Sequence, residues 1–349
     1  MERKHTKIVQ IGNVKVGGEN PISIQSMLNT KNGDESAAIQ QCIDLKTAGC
    51  DIIRLAITDE DSIRVVKAVK KNIDIPLVAD IQFDYKIAIR SIEAGIDKIR
   101  LNPGNIGSEE KVKSVISAAK ERNIPIRIGV NSGSVSQDIA EKFGRYSAEG
   151  LVEEAMRHVH ILESCNFDDI VISLKASEVP NMIESYRLMS KRRNYPLHLG
   201  VTEAGTSFAG SIKSAIGIGA LLAEGIGDTI RVSLTDNPVE EIRVAKEILK
   251  SLELRECGAK LVSCPTCSRC SIDLISIAKD VERRLEMIDK NIKVAVMGCV
   301  VNGPGEAKGA DIGITGSNGE GLIFKNGKVI KRVPETDIIE ELFAEIERL

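Results

Sequence analysis

Histidine occurs only 4 times in the 349 residues and aromatics make up 3% of the chain. No apolar run reaches the roughly 18 residues expected of a membrane-spanning helix, so no membrane partner is expected. Neither charge dominates: Lys and Arg total 47 against 50 Asp and Glu. That balance leaves no global basic field to hold nucleic acid or an anionic membrane surface, and any anionic ligand must be bound locally. The opening MERKHTKIVQIG is charged and has no apolar stretch of signal-peptide length, so a cytoplasmic location is expected. Scarce histidine narrows the catalytic options. His5, His158 and His160 read as peripheral, and His198 alone lies in a strand leading toward a candidate site.

Cysteine, by contrast, occurs 8 times. In a reducing compartment this argues against a disulfide framework and for metal binding or catalysis. Cys42, Cys50, Cys165 and Cys257 lie singly in or beside apolar helical patterns, where free thiols behave as small buried hydrophobes. The other four come late, as Cys264, Cys267 and Cys270 within VSCPTCSRCS and then Cys299.

Short β-branched runs recur, each followed by a helical pattern: ISIQSM (22–27), DIIRLAI (51–57), PLVADIQ (76–82), KIRLNP (98–103), PIRIGVN (125–131), DIVISLK (169–175), LHLGVTE (197–203) and TIRVSLT (229–235). Eight such units predict an α/β fold, a closed (β/α)8 TIM barrel, with a smaller α/β domain appended. Before them, KIVQIGNVKVGG reads as a small hairpin plugging the barrel floor. The barrel ends near residue 252, giving a substrate-binding domain over 1–252 and a second domain over 258–349.

Four strands place an arginine between aliphatics: Ile53-Arg54-Leu55, Ile99-Arg100-Leu101, Ile126-Arg127-Ile128 and Ile230-Arg231-Val232. Side chains alternate across a strand, so if the aliphatics pack under the helices the arginines face the barrel axis. Buried arginines need partners. Protein carboxylates are one choice, with Asp80 and Glu203 at the ends of the third and seventh strands. Phosphate oxygens match better, because guanidinium grips them through two parallel donors and Lys175 joins the same face. The loops NPGNIG, NSGS and EAGTSFAGS offer glycines that let backbone N–H groups approach an anion at the mouth. GIGALL (217–222) lies within a helical stretch and reads as helix packing.

After Asn237 as N-cap and Pro238 in the first turn, a last barrel helix carries Ile242, Ala245, Ile248, Leu249 and Leu252 on one side. Beyond a polar linker come the strand KLVS, the cysteine tract, a helix over about 271–289, the strand KVAVMG and a hairpin turning at Asn326-Gly327, with an amphipathic helix at the end. The C-x2-C spacing makes Cys264 and Cys267 a strong ligand pair. The third and fourth ligands stay open among Cys270, Cys299 and Glu306, which the Gly303-Pro304-Gly305 turn can fold back beside Cys299. A structural zinc ribbon is one reading, and an iron–sulfur centre is the other. An anion-binding barrel with no other evident catalytic apparatus favours the redox cluster.

Together VADIQFDY, KIRLNPGNIG, GVNSGS, VTEAG, CPTC and GCVVNGPGEA resemble the 4-hydroxy-3-methylbut-2-enyl diphosphate synthase family, iron–sulfur reductases of isoprenoid biosynthesis, in its two-domain bacterial form. The resemblance implies a [4Fe-4S] cluster held by Cys264, Cys267, Cys299 and Glu306, with Cys270 a bystander. A carboxylate is a harder and more exchangeable iron ligand than a thiolate, which suits a site that admits a substrate oxygen. The implied substrate is 2-C-methyl-D-erythritol 2,4-cyclodiphosphate, opened by two electrons with loss of water. Arg54, Arg100, Arg127, Lys175, Arg231 and Ser233 would cradle its diphosphate. Asp80, Asn102, Asn131, Thr202 and Glu203 would orient its hydroxyls, with Glu203 the proton donor. Gln82 stands where the family usually has histidine, and no contact is assigned to it. Electrons would come singly from ferredoxin or flavodoxin.

The last barrel helix runs about 20 Å from mouth to floor, so the linker leaves at the floor. Doubling back would take most of the roughly 40 Å that a linker of about 12 residues spans. A head-to-tail homodimer is therefore expected, as the resemblance also implies. Two rivals stand beside this reading. One is a redox-silent phosphate-binding barrel transferase with a zinc ribbon. The other is a nucleic-acid-binding ribbon, which the few aromatic or clustered basic residues of the cysteine segment disfavour.

Overall fold

The eight β-branched runs become eight parallel strands in the computed structural model, which describes residues 2–256, 258–299, 309–317 and 320–349. A hairpin of β1 (Val9–Ile11) and β2 (Val14–Val16) precedes them. The barrel strands are β3 (Ser23–Met27), β4 (Ile52–Ala56), β5 (Leu77–Asp80), β6 (Lys98–Leu101), β7 (Ile126–Asn131), β8 (Ile170–Lys175), β9 (His198–Leu199) and β10 (Thr229–Ile230). They pair in the order β8-β7-β6-β5-β4-β3-β10-β9, and a parallel bridge from Ile172 to Leu197 closes the ring. Val9, Ile11 and Val16 of the hairpin pack against Ile52, Val78 and Val171, the inward residues nearest the strand starts. The floor is thus sealed by apolar side chains.

The last two strands are shorter than their β-branched patterns suggest, two residues each. At Gly200 a Cβ would stand 2.7 Å from the Arg231 carbonyl oxygen and 3.3 Å from Lys175 Nζ. The backbones crowd together there and the regular ladder ends. Thr202, Glu203 and Ser233 consequently sit on mouth loops beyond the strands. The last barrel helix is Pro238–Ser251, and the Asn237 side chain accepts from Val239 N–H at 3.0 Å as its N-cap. Cys42 and Cys50 are buried in the aliphatic core and Cys165 packs partly against it. Cys257 lies outside the described residues.

The chain divides into two compact units, Met1–Arg255 and Glu256–Leu349. The second is a five-stranded sheet in the order β11 (Lys260–Ser263), β12 (Lys293–Met297), β13 (Ile312–Ser317), β14 (Glu320–Lys325) and β15 (Lys328–Pro334). β11, β12 and β13 run parallel, and β13 to β15 antiparallel. The β14–β15 turn has Asn326 and Gly327 at φ +49° and +74°, as its Asn-Gly signal requires. Helices Leu274–Leu285 and Ile338–Glu347 bury apolar stripes on the same core.

β13 was not anticipated, because the glycines of IGITGS dilute its strand pattern. Gly313 is there for packing: a Cβ would lie 2.5 Å from the Ala295 carbonyl oxygen and collide with the Phe324 ring. Gly313→Ala should destabilise this unit by about 1–3 kcal/mol. Hydrogen exchange should show protection lost across β12 to β14 while β3 to β8 stay protected.

Candidate active site: a cationic barrel and a thiol edge

Alternation carries the arginines inward as the sequence requires, and two lysines join them. Arg127 and Lys98 are 1% and 0% exposed, and Arg54 and Lys175 are 9% and 8% exposed. The Arg100 and Arg231 side chains are also largely enclosed. Only two carboxylates pair with these six cations among the described residues. Asp80 lies 3.1 Å from Arg100 Nη1 and 3.7 Å from Arg54 Nε. Glu241 lies 3.3 Å from Arg231 Nη2 and also accepts from Ser26 Oγ at 2.8 Å.

The remaining donors are poorly served. Arg127 Nε and Nη1 and Arg231 Nε have no hydrogen-bond partner. Arg54 turns Nε and Nη2 toward the Met27 thioether at 3.1 and 2.9 Å, a weak acceptor. Burial, then Arg231, Arg54, Arg127 and Arg100, push Lys175 well below its ordinary pKa. Burial acts to raise Asp80, yet Arg54, Arg100 and Arg127 outweigh it and hold the carboxyl below its usual range. An uncompensated buried charge costs several kcal/mol, and guanidinium does not escape by losing its proton. The chemistry of the arrangement suits a compact polyanion.

Two glycines make room for it. A Cβ on Gly129 would stand 2.7 Å from Arg100 Nε, and Gly200 leaves the space beside Lys175. At the mouth, Asn102 is buried and its side-chain oxygen caps Gly104 N–H at 3.1 Å, while Asn131, the last residue of β7, is exposed. Glu203 holds a left-handed backbone at φ +53°, a costly conformation for a residue with a Cβ, and its Oε2 accepts from Ser177 Oγ at 2.8 Å. Thr202 and Ser233 are half-buried nearby in sequence, and Gln82 is exposed.

Sequence reasoning missed three parts of this unit. Lys98 opens its strand, where a charge is easily taken as flanking. Glu241 belongs to the last barrel helix, where a carboxylate reads as surface. His158, expected to be peripheral, is 2% exposed because its Nε2 sits 3.2 Å from buried Glu154, four residues back on one helix face. Glu154 also accepts from Ser136 N–H at 2.9 Å, so this pair supports the loop after β7. The i,i+4 Glu-His spacing was the available signal.

In the second unit, β11 and β12 are parallel neighbours with Ser263 level with Val296. Cys264 follows β11 directly and Cys299 follows β12 by two residues, so both leave the same sheet edge. Gly298 N–H donates to Cys264 Sγ at 3.2 Å, and Ser271 N–H donates to the Gly298 carbonyl at 3.0 Å. Cys267 is exposed, and the Arg269 backbone, then its side chain, hold its thiol below the ordinary pKa. Cys270 Sγ instead turns to the Ile272 carbonyl at 3.3 Å and fills the space where a Gly298 Cβ would stand.

Soft thiols on one edge, one with an N–H donor and one with a lowered pKa, suit an iron–sulfur cluster. No group of three His, Cys, Asp or Glu side chains is gathered tightly enough to hold a metal ion among the described residues. Glu306 lies outside the described residues.

Comparison with known proteins gives concordant results. The model of the GcpE TIM-barrel domain matches residues 6–246, and that of the GcpE protein C-terminal domain matches 260–348. A 4-hydroxy-3-methylbut-2-en-1-yl diphosphate synthase (flavodoxin) of Clostridium perfringens is 60% identical over 349 residues, covering all of both chains. Proteins of the same description from Ruminiclostridium cellulolyticum and Geobacter sulfurreducens are 57% and 55% identical, over 100% and 99% of this chain and 99% and 98% of theirs. Among solved structures, dihydropteroate synthase from Stenotrophomonas maltophilia aligns with a TM-score of 0.51 at 13% identity, covering 71% of this chain and 98% of that one. That likeness is one of barrel fold alone.

Arg127→Met should expose the conflict between stability and binding. Removing an unpaired buried charge should raise stability toward urea by about 1–3 kcal/mol. Calorimetric affinity for inorganic pyrophosphate should fall by about 100-fold.

Proposed function

The chain belongs to the GcpE family, and from that membership together with the cationic barrel we infer that it is an oxidoreductase of isoprenoid biosynthesis acting on a cyclic diphosphate. The reaction is the reductive ring opening and dehydration of 2-C-methyl-D-erythritol 2,4-cyclodiphosphate to 4-hydroxy-3-methylbut-2-enyl diphosphate. The observation that carries this reading is the excess of buried cations over carboxylates within a chain of this family. Flavodoxin, named in the descriptions of the relatives, or a ferredoxin delivers the electrons. Cys264, Cys267, Cys299 and Glu306 would hold a [4Fe-4S] cluster, whose chemistry when bound would be one-electron transfer.

The protein's own groups do the rest. Arg54, Arg100, Arg127, Lys175 and Arg231, with Ser233, bind the diphosphate, and their field stabilises the charge that develops as the ring oxygen departs. Asp80, engaged by Arg54 and Arg100, stays ionised and accepts from a substrate hydroxyl. Asn102, Asn131 and Thr202 orient the carbon skeleton. Glu203, presented at the mouth by its left-handed backbone and held by Ser177, is the proton donor to the departing hydroxyl.

The ligand assignment separates the reading from a zinc ribbon. Anaerobically prepared protein should be brown, with iron and sulfide in equal amounts, where a zinc ribbon would be colourless. Glu306→Ala should lower iron content and turnover, whereas Cys270→Ser, at a thiol engaged with Ile272, should leave both close to wild type. The reverse pattern in iron and sulfide analysis would overturn the assignment.

A head-to-tail homodimer completes the site. Two features of the barrel unit support it. Arg255 binds Asp51 at 2.5 and 2.9 Å and the Ile22 carbonyl at 3.3 Å, pinning the departing chain at the floor. The helix Ser207–Ala223 begins at the mouth and exposes Phe208 (81%), Ile212 and Ile216 along one face. Phe208→Glu should yield monomers by light scattering and reduce turnover by at least about 10-fold. A monomer of full specific activity would remove the dimer from the account.

A further inference from the structure

The guanidinium set does not exhaust the polar interior of the barrel. Gln25, Lys98, Arg127 and His198 are each at most 1% exposed, deeper than Arg54, Asp80 or Lys175. Lys98 lies two residues floorward of Arg100 on β6, and Gln25 two floorward of Met27 on β3. Both ends of the Gln25 amide, Lys98 Nζ, Arg127 Nε and Nη1, and His198 Nε2 have no hydrogen-bond partner. Four strands therefore aim unsatisfied polar atoms into one enclosed storey above the apolar floor. Six orphaned polar atoms in one place are not an accident of packing, since each costs about 1–3 kcal/mol if left unmet.

We propose that this deeper storey is a further part of the substrate site, in which Lys98 takes up a proton and binds a phosphoryl oxygen as the anion enters. The proposal rests on the reading of the barrel as a cyclic diphosphate site. The groups around Lys98 explain the coupling. Arg54 of β4 and Arg127 of β7 act on it, Val78 of β5 is level with it, His198 of β9 feels its charge, and Asp80 stands two residues mouthward of Val78. Asp80 is the one carboxylate of the set, and Arg54 and Arg100 already engage it. Burial first, then Arg127 and Arg54, drive Lys98 well below its ordinary pKa of 10.5, and no acidic group counters them. Without an anion these neighbours disfavour the ammonium form. With one, the opposing field reverses and the ammonium form is favoured.

The sign follows by linkage. The bound state holds the proton and the free state does not, in the window between the lowered pKa and the ordinary one. Affinity for the anion must therefore fall as pH rises through that window. His198 also faces this storey, and burial and the same cations lower its pKa. Even its ordinary value of 6.5 leaves it neutral at pH 8, so uptake at that pH comes from a lysine, and substitution separates Lys98 from Lys175, whose pKa is lowered too.

The test is calorimetric titration of the oxidised holoenzyme, without electron donor, with the cyclic diphosphate at pH about 8. Two buffers of different ionisation enthalpy report the protons exchanged. Wild type should take up about one proton per site. Lys98→Met should abolish the uptake and weaken binding by about 10-fold, with an unchanged or raised denaturation midpoint as proof of folding. His198→Gln should retain the uptake. Absence of uptake in wild type, or uptake and affinity unaltered in Lys98→Met, overturns the role of Lys98 while the barrel site stands. Failure of wild type to bind at all overturns both.

Discussion

Six cations share the barrel interior with two carboxylates, and most of the molecule's other features follow from that imbalance. Charges of one sign cannot be enclosed without either strong desolvation cost or a ligand of opposite sign. The barrel therefore invests its free energy elsewhere. Aliphatic residues on the outward faces of the same strands form the main core, so every inward arginine is flanked by side chains that hold its backbone. The hairpin Val9, Ile11 and Val16 keeps the floor apolar. A low-dielectric floor leaves the cations unscreened from below and strengthens their pull on an anion from the mouth.

Glycine is what lets such a crowded interior exist. Gly129 gives its volume to Arg100, and Gly200 to Lys175 and the Arg231 carbonyl. The second unit repeats the device with different chemistry: Gly298 lets the cysteine loop lie against β12, donating to Cys264 and accepting from Ser271. The barrel carries its cations on the inward faces of the strands themselves, whereas the second unit carries Cys264 and Cys299 just beyond the C-terminal ends of two parallel strands. Register does the positioning in each case. Asp80 is level with Arg100, and Ser263 with Val296.

Much of this was legible because period-2 alternation is a strict rule. An arginine between two aliphatics in a strand has one direction to point, so Arg54, Arg100, Arg127 and Arg231 were readable from single-letter code. The hairpin floor, the Asn237 cap and the Asn326-Gly327 turn were readable for similarly local reasons. Most of what stayed hidden depended on distant neighbours, His158 and Glu154 being a local pair. Lys98 looks like a strand-flanking charge until β7 and β9 are seen beside it. His158 reads as peripheral until Glu154 is placed opposite it. Strand patterns after Leu199 and Ile230 persist in sequence but lose their ladders to crowding around Gly200. β13 runs the other way: its glycines weaken the local signal, and contacts with Ala295 and Phe324 determine it. The thiol pair was legible from spacing, while the choice of the other ligands rested on resemblance.

The division into two units has its own electrostatic logic. Iron–sulfur ligands are anionic and are tuned by N–H donors, and Gly298 N–H donates to the Cys264 sulfur. A diphosphate needs guanidinium and ammonium groups. Built on one lattice, the two sets would neutralise each other: thiolates and a glutamate would pair with the arginines and remove the charge excess that selects the substrate. Placing the thiols on a separate sheet preserves both. The barrel keeps its uncompensated cations, and Cys264 keeps its backbone N–H donor.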